Sequence, residues 1–284
     1  MSTRPRPFVF EFFLAPALLI LDVRRTRREN ALYRHFFHNR RLFGSIVYYA
    51  VITLALMGYM CWLRVAFLYR ESYEFHLLWF WLLAEVVFTG EAYYGSIRRV
   101  HRLRRSGRLA ELKLTTHTPR EIAEGLSFAI GRFLTLWAVT YALMQVSLPV
   151  RDSAFMRMDE TPAACWYTYV IAATIITIVN VSAAAHMAAA FGFYRGVRGS
   201  MNLAITYITT ALYMIGVGIF SLAFTFLIYG IGTVVVGTPI RDYYALIAAC
   251  LGLLLLLMPL KCLLARHFLA KAGEALAQEG GGEG

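Results

Sequence analysis

The segment RRSGRLAELKLTTHTPREIAEG, from Arg104 to Gly125, is a long polar stretch in the middle of a very apolar chain. Apolar runs flank it at residues 75–97 and 126–150, and each is long enough to cross a bilayer core of about 30 Å as a helix. A basic, polar segment between two such runs is typical of a loop at the cytoplasmic surface of a membrane. The sequence therefore predicts two membrane helices joined by a water-facing connection.

The composition extends this prediction to the whole chain. Of its 284 residues, 59% are hydrophobic and 16% are charged, whereas soluble domains carry about 25% charged residues. Apolar runs of about 20 residues indicate helices, because a membrane β-barrel shows alternating segments of about 10 residues. We therefore expect an all-α integral membrane protein.

We expect six membrane helices, at about residues 43–69, 75–97, 126–150, 166–191, from 203 onward, and 243–264. Residues 203–237 contain no charge, but as one helix they would be about 50 Å long, so the run must break. Glycines at 230–237 and Pro239 are the predicted break, followed by a short piece in the outer leaflet.

The remaining parts of the chain are predicted to lie at the cytoplasmic surface. Residues 1–42 form a cytoplasmic or interfacial segment, residues 98–125 a loop within the membrane domain (43–264), and residues 265–284 a tail with a disordered glycine-rich end. Phe8–Leu21 is short for a span and is interrupted by Glu11 and Pro16. A signal-peptide core has this length, but no clear cleavage site follows, so we expect an amphipathic helix at the interface.

The distribution of Lys and Arg gives the orientation. Of 28 such residues, 22 fall on one side of the predicted spans, including Lys261 at the C-terminal end, and five fall on the other. This asymmetry places both termini and the 98–125 loop in the cytoplasm. The net charge of +11 then reflects topology, and we expect no nucleic-acid partner.

Within the opening segment, local signals predict two helices separated by a turn. Thr118, Pro119 and Glu121 form a capping-box pattern, so a helix should begin near Pro119. Upstream, leucines alternate with charged residues after Gly107 and predict a short helix whose exposed leucines need a partner surface.

This segment resembles the loop between the second and third helices in transmembrane subunits of type 2 ATP-binding-cassette (ABC) exporters. The resemblance covers Gly107, Ile122 and Gly125 and the residues that would form the ATPase-coupling site: Leu109, Glu111, Leu112, Leu114, Thr116, His117, Thr118, Pro119, Arg120 and Glu121. In that family the loop forms a coupling helix, here about residues 109–118, that docks on an ATPase. The chain departs from the family pattern where arginines replace the acidic residues before the glycine.

The resemblance implies a permease subunit that works with ABC ATPases and with a second, identical or similar permease in a bacterial or archaeal inner membrane. The chain has no GxxxxGK[ST] phosphate loop. We therefore expect no enzyme activity and no cofactor in this chain, with ATP and Mg²⁺ bound by the partner ATPase. The four cysteines show no metal-site or disulfide spacing.

Two glutamates fall inside the predicted second membrane helix. Placing the charge of Glu85 or Glu91 inside a membrane costs free energy, so both residues are candidates for a translocation route. The alternative is a structural role, with each glutamate protonated or paired, for example with Arg132, His186 or Arg64. Further along the chain, Asn180 and His186 suggest hydrogen bonds between helices, and the GxxxG formed by Gly192 and Gly196 suggests close helix contact or dimerisation.

Two other functions remain open from the sequence. The chain could be a structural membrane subunit with a permease-like fold that transports nothing, or an integral membrane enzyme that acts on lipid. We find no HxxxH or Asp-rich pattern for the enzyme.

Overall fold

A computed structural model describes residues 8–38, 73–147, 163–199 and 252–281, with short pieces between residues 51 and 58 and between 205 and 227. Most of these residues are helical, and they contain no β-strand. The all-α prediction is confirmed for this part of the chain. The predicted span at 43–69 and most of the run at 203–251 lie outside the described residues.

Seven α-helices have defined bounds: α1 Phe8–Glu29, α2 Ala31–His38, α3 Tyr73–Arg105, α4 Arg108–Lys113, α5 Pro119–Ser147, α6 Ala163–Arg198 and α7 Met258–Gly281. A π-helical turn at Leu253–Leu257 leads into α7.

Helix α6 is the centre of the described structure, because it packs against α3, α5 and α7. Its inner face consists largely of alanine, and these alanines are buried: Ala183, Ala184, Ala185, Ala188, Ala189 and Ala190. Small side chains let helix backbones approach closely, which is the usual basis of helix association in membranes.

The closest approach is between α3 and α6. A Cβ atom on Gly192 would lie 3.0 Å from the Cα of Tyr93 and would overlap its carbonyl oxygen, while one on Gly196 would lie 3.1 Å from the Cβ of Val100. The GxxxG pattern therefore joins two helices of the same chain, and dimerisation is not needed to explain it.

The N-terminal helices pack onto the bundle. Helix α1 contacts α7 and α5, with an ion pair of 3.0 Å between Asp22 Oδ2 and Arg266 Nε, and α2 packs against α5. Tyr33 in α2 is buried, and its hydroxyl accepts a hydrogen bond of 2.9 Å from Arg132. The predicted N-terminal helix is present but continues eight residues beyond Leu21, to Glu29.

Several helices are longer than the membrane spans predicted for them. Helix α3 extends past residue 97 to Arg105, and α6 extends past residue 191 to Arg198. Helix α7 does not stop at residue 264, and it continues to Gly281 with Leu269, Ala272 and Leu276 buried. Residues 265–281, predicted as a separate tail, thus continue α7, because this segment has an apolar face that packs on the core. Residues 282–284 of the predicted glycine-rich end lie outside the described residues.

One segment among the described helices, Pro119–Val139 within α5, is long and apolar enough to cross a membrane by length and composition. Its mean hydropathy is 1.4, and about half of it, 56%, is buried inside the protein. All six membrane spans, this one included, stay predictions.

We predict that Gly192→Ala destabilises the protein, because the added methyl group meets the α3 backbone and overpacking costs about 1–3 kcal/mol. Gly95→Ala is the matched control, since a Cβ atom there meets nothing within 4 Å and alanine is the better helix former. Thermal unfolding in mild detergent should show a lower midpoint for Gly192→Ala and an unchanged or higher one for Gly95→Ala. Equal midpoints would contradict the close packing of α3 on α6.

Candidate functional site

The loop between α3 and α5 turns sharply at Gly107. This residue has φ of 70°, in the left-handed region where a side chain is strained, and it precedes α4. Helix α4 then covers only six residues and ends at Lys113, with Leu114 as its C-cap. The predicted helix over residues 109–118 is therefore too long: residues 114–118 form a turn and an extended approach to α5.

The leucines of this loop do not share one exposed face. Leu109 is buried in the same cluster as Leu103 and Ile122, and Leu112 packs at the edge of that cluster. Leu114, by contrast, is 89% exposed, and Glu111 is also exposed. Leu109 and Leu112 thus anchor α4 to the bundle. Glu111 and Leu114 are the exposed residues at the α4 end of the predicted coupling site, and further along it Thr116, Thr118, Pro119 and Arg120 are exposed as well.

The predicted capping box is present at the start of α5. The backbone N–H of Thr118 donates to Glu121 Oε2 at 2.9 Å, and the N–H of Glu121 donates to the Thr118 hydroxyl at 3.3 Å. His117 Nδ1 lies 3.7 Å from the same carboxylate, and Arg120 pairs with Glu124 at 2.7 Å. These contacts satisfy the first N–H groups of α5 and set the direction in which the loop enters it.

Asn30, which the sequence reading did not identify, ties the N-terminal segment to this capping box. Its Oδ1 accepts hydrogen bonds from the N–H groups of Leu32 (2.9 Å) and Tyr33 (3.2 Å), so it caps α2. Its Nδ2 donates to the carbonyl oxygen of Glu121 at 2.7 Å. A Cβ atom on Gly125 would lie 3.0 Å from this amide, which explains why the neighbouring position in α5 is glycine. The local signal was an Asn immediately before a helical stretch.

Arg104 connects the loop to the end of α6. Its guanidinium donates to the carbonyl oxygens of Gly196 (3.3 Å), Val197 and Gly199 (3.1 Å). The last carbonyl groups of a helix lack partners within the helix, and a cation there is favourable. Arg104 therefore acts as a C-cap for α6. From the sequence it was predicted only to be one of the surface charges of the loop.

A buried ion pair lies deeper in the bundle. Glu85 in α3 is fully buried and is paired with Lys261 of α7, which is 4% exposed. Asn180 in α6 donates to Glu85 Oε2 at 3.0 Å and accepts from Lys261 Nζ at 2.9 Å. The three side chains form a closed polar cluster, here called the Glu85 cluster, that links three helices.

The cluster corrects two predictions. Lys261 is not a free cytoplasmic charge, because it lies inside the bundle as the cation for Glu85. Two of the three partners suggested for the membrane glutamates make other contacts: Arg132 donates to Tyr33, and His186 Nδ1 lies 2.8 Å from the carbonyl oxygen of Ser182. The third, Arg64, lies outside the described residues. Lys261 was missed because its place near the end of an apolar run favours an interfacial position, and only the fold brings it opposite Glu85.

Glu91 is not part of this cluster. It lies six residues after Glu85 on the same helix and is half-buried. The structure therefore does not join Glu85 and Glu91 in one site, and it divides the predicted coupling residues between the core, which takes Leu109, and the surface, which keeps Glu111 and Leu114. Among the described residues, no group of three or more His, Cys, Asp or Glu side chains could hold a metal ion.

Comparisons with known proteins give no relative: no protein family model, no curated protein and no solved structure matches this chain.

We predict that Asn30→Ala lowers the free energy of unfolding by about 1–2 kcal/mol, because it removes the cap of α2 and the additional hydrogen bond that Asn30 donates to the Glu121 carbonyl. Asn30→Ser retains a capping oxygen and should be less harmful. Thermal unfolding, together with limited proteolysis of the 104–125 loop, measures both effects. Equal stability of all three proteins would show that Asn30 does not hold the loop.

We predict that Lys261→Met destabilises the protein by about 3–5 kcal/mol, because the buried carboxylate of Glu85 then loses the cation with which it is paired. The double variant Glu85→Leu/Lys261→Met should recover most of this loss, since an apolar pair of similar volume replaces the ions. Unfolding of wild type, both single variants and the double variant gives the coupling energy. Simple additivity of the single effects would contradict the ion pair.

Proposed function

We propose that this chain is the permease subunit of an ATP-driven ABC exporter. The observation that carries the proposal is the loop at residues 104–125, which combines the family-like sequence with an exposed tip on an anchored base. Glu111 and Leu114 face outward, while Leu109 and the capping box fix the loop to the bundle. A coupling element needs both properties, because it must be accessible to a motor and rigidly joined to what the motor moves.

The contacts of the loop suggest how force would spread. Movement of α4 would be transmitted to α3 through the turn at Gly107, and to α5 through the capping box. The hydrogen bonds of the Arg104 guanidinium would transmit the same movement to the end of α6. The hydrogen bond from Asn30 would transmit it to the N-terminal helices. In this proposal, closure of the ATPase pair moves these helix ends together and changes access to the substrate route, as rigid elements commonly do in transporters.

The rest of the proposed assembly follows from the same resemblance. The chain has six membrane spans and cytoplasmic termini, sits in a bacterial or archaeal inner membrane, and pairs with a second permease, identical or similar. ATP and Mg²⁺ bind to the partner ATPases. The apolar segment of α5 and the one-sided distribution of Lys and Arg support a multi-pass membrane protein.

The two membrane glutamates have different places in this proposal. Glu85 is neutralised by Lys261 and bonded to Asn180, which favours a structural role at the junction of three helices. Glu91 is half-buried outside that cluster and is the stronger candidate for the translocation route.

A non-transporting structural subunit is the competing function. The basic run around Arg104 favours it, because one of these arginines caps α6 instead of facing a partner. The two functions differ in one requirement: only the transporter needs an ABC ATPase on the loop.

The test is purification of the full-length tagged chain in mild detergent, followed by identification of the proteins that copurify. We expect an ABC ATPase to copurify with the wild type. The amount of copurified ATPase should fall more than about tenfold with Glu111→Arg/Leu114→Asp, because one substitution reverses a charge at the contact and the other places a carboxylate where the partner would cover Leu114. Leu112 is left unchanged because it packs on the core.

Gln278→Lys is the matched control, since Gln278 is exposed on α7 and the substitution changes the net charge by the same amount. It should retain the ATPase. If wild type brings down no ATPase but holds another membrane complex together, the chain is a structural subunit and the transporter proposal fails.

A further inference from the structure

A cavity of about 370 Å³ lies where α1, α5, α6 and α7 meet. Most of its wall is apolar, and the apolar side chains that line it come from α1, α6 and α7: Pro16, Leu19, Ile20, Ile178, Val179 and Met258. Thr135 and Ser182 are also in the wall, but their hydroxyl groups bond to each other at 2.7 Å and therefore demand nothing from a ligand. The cavity suits a hydrocarbon chain.

One face of α1 supplies both an apolar and a basic part of this cavity. The lining residues of α1 recur at positions 16, 19, 20, 23, 24 and 27, which is the spacing of a single helix face. The face is apolar from Pro16 to Val23 and basic at Arg24 and Arg27, so polarity changes along the helix. From Pro16 to Arg27 the distance along the axis is about 16 Å.

The basic end has no acidic counterpart. Among the residues that the structure describes, Arg24 and Arg27 are exposed and have no carboxylate partner, and none of the residues lining the cavity is acidic. Arg132 lies in the wall as well and adds a third guanidinium. By contrast, Arg25 on another side of α1 is paired with Glu29 at 2.9 Å. The positive charges of Arg24 and Arg27 therefore have no acidic counterpart at this cavity.

We propose that this cavity binds an anionic phospholipid of the surrounding bilayer. Its phosphate lies against Arg24 and Arg27, and one acyl chain lies along the apolar face of α1 against α6 and α7. Guanidinium groups match phosphate oxygens in geometry and charge, and basic pockets between helices on the cytoplasmic side of membrane proteins take anionic headgroups. The volume falls at the small end of ligand pockets, which fits part of one lipid, not a large soluble substrate.

This assignment does not depend on the transport function. The lipid would help to hold α1 on the bundle, because its headgroup would bind the arginines of α1 and its acyl chain would lie between α1 and the helices α6 and α7. A structural subunit would use the site in the same way.

Lipid binding to the full-length chain can be measured by native mass spectrometry in detergent, with phosphatidylglycerol and phosphatidylcholine of identical acyl chains as probes. We expect wild type to retain phosphatidylglycerol preferentially. Arg24→Gln/Arg27→Gln should lower that retention by about tenfold or more, because two basic groups near the phosphate are lost. The control Arg25→Gln/Arg28→Gln removes the same charge from the same helix, at residues that do not line the cavity, and should lower it less than about threefold.

A second matched pair of variants tests the apolar wall of the cavity. Ile20 lines the cavity and Leu21 does not, although their exposed fractions are similar, 53% and 58%. Ile20→Asn should weaken phosphatidylglycerol binding, and Leu21→Asn should leave it near wild type.

Three results would overturn the proposal. Equal losses in the two arginine pairs would mean diffuse attraction to the protein surface. Equal retention of the two lipids would remove the role of the headgroup charge. Displacement of the lipid by inorganic phosphate alone would show that the arginines bind a free anion without help from the apolar wall.

Discussion

The structure depends on the small-residue face of α6. Small side chains on one helix let the backbones of its neighbours approach closely, so that close packing and polar contacts can hold the helices together. The buried alanines of α6, with Gly192 and Gly196 near its end, allow α3, α5 and α7 to pack on one helix. This close approach in turn brings Glu85, Asn180 and Lys261 within hydrogen-bonding distance and positions the end of α6 against Arg104.

Polar contacts are concentrated where the backbone would otherwise lack partners. Asn30 satisfies the start of α2, the Thr118–Glu121 box satisfies the start of α5, and Arg104 satisfies the end of α6. All three lie around the same loop. The result is a surface segment with an exposed tip and a base that is fixed in several directions, which is the mechanical property that the proposed coupling function requires.

The features that were predictable from the sequence are those governed by neighbouring residues. The capping box and the start of α5 at Pro119 are of this kind, because they depend on side chains three positions apart. The length of α4 was not predictable, since burial of Leu109 and exposure of Leu114 depend on what packs beneath the loop. The positions of Lys261 and Arg104 were not predictable for the same reason. A basic residue near the end of an apolar run is normally solvated, but Lys261 binds Glu85 of α3 and Asn180 of α6, and Arg104 binds the end of α6.

The order of synthesis gives the Glu85 cluster a further consequence. Glu85 and Asn180 belong to helices made early, whereas Lys261 lies on the last described helix, and chains are made from the N-terminus onward. Until α7 is made, the carboxyl group of Glu85 has Asn180 but not Lys261 as its partner in the cluster. The pairing within the cluster is therefore completed only by α7, so a chain that stops before Lys261 folds α3 and α6 without the cation that the cluster provides for Glu85.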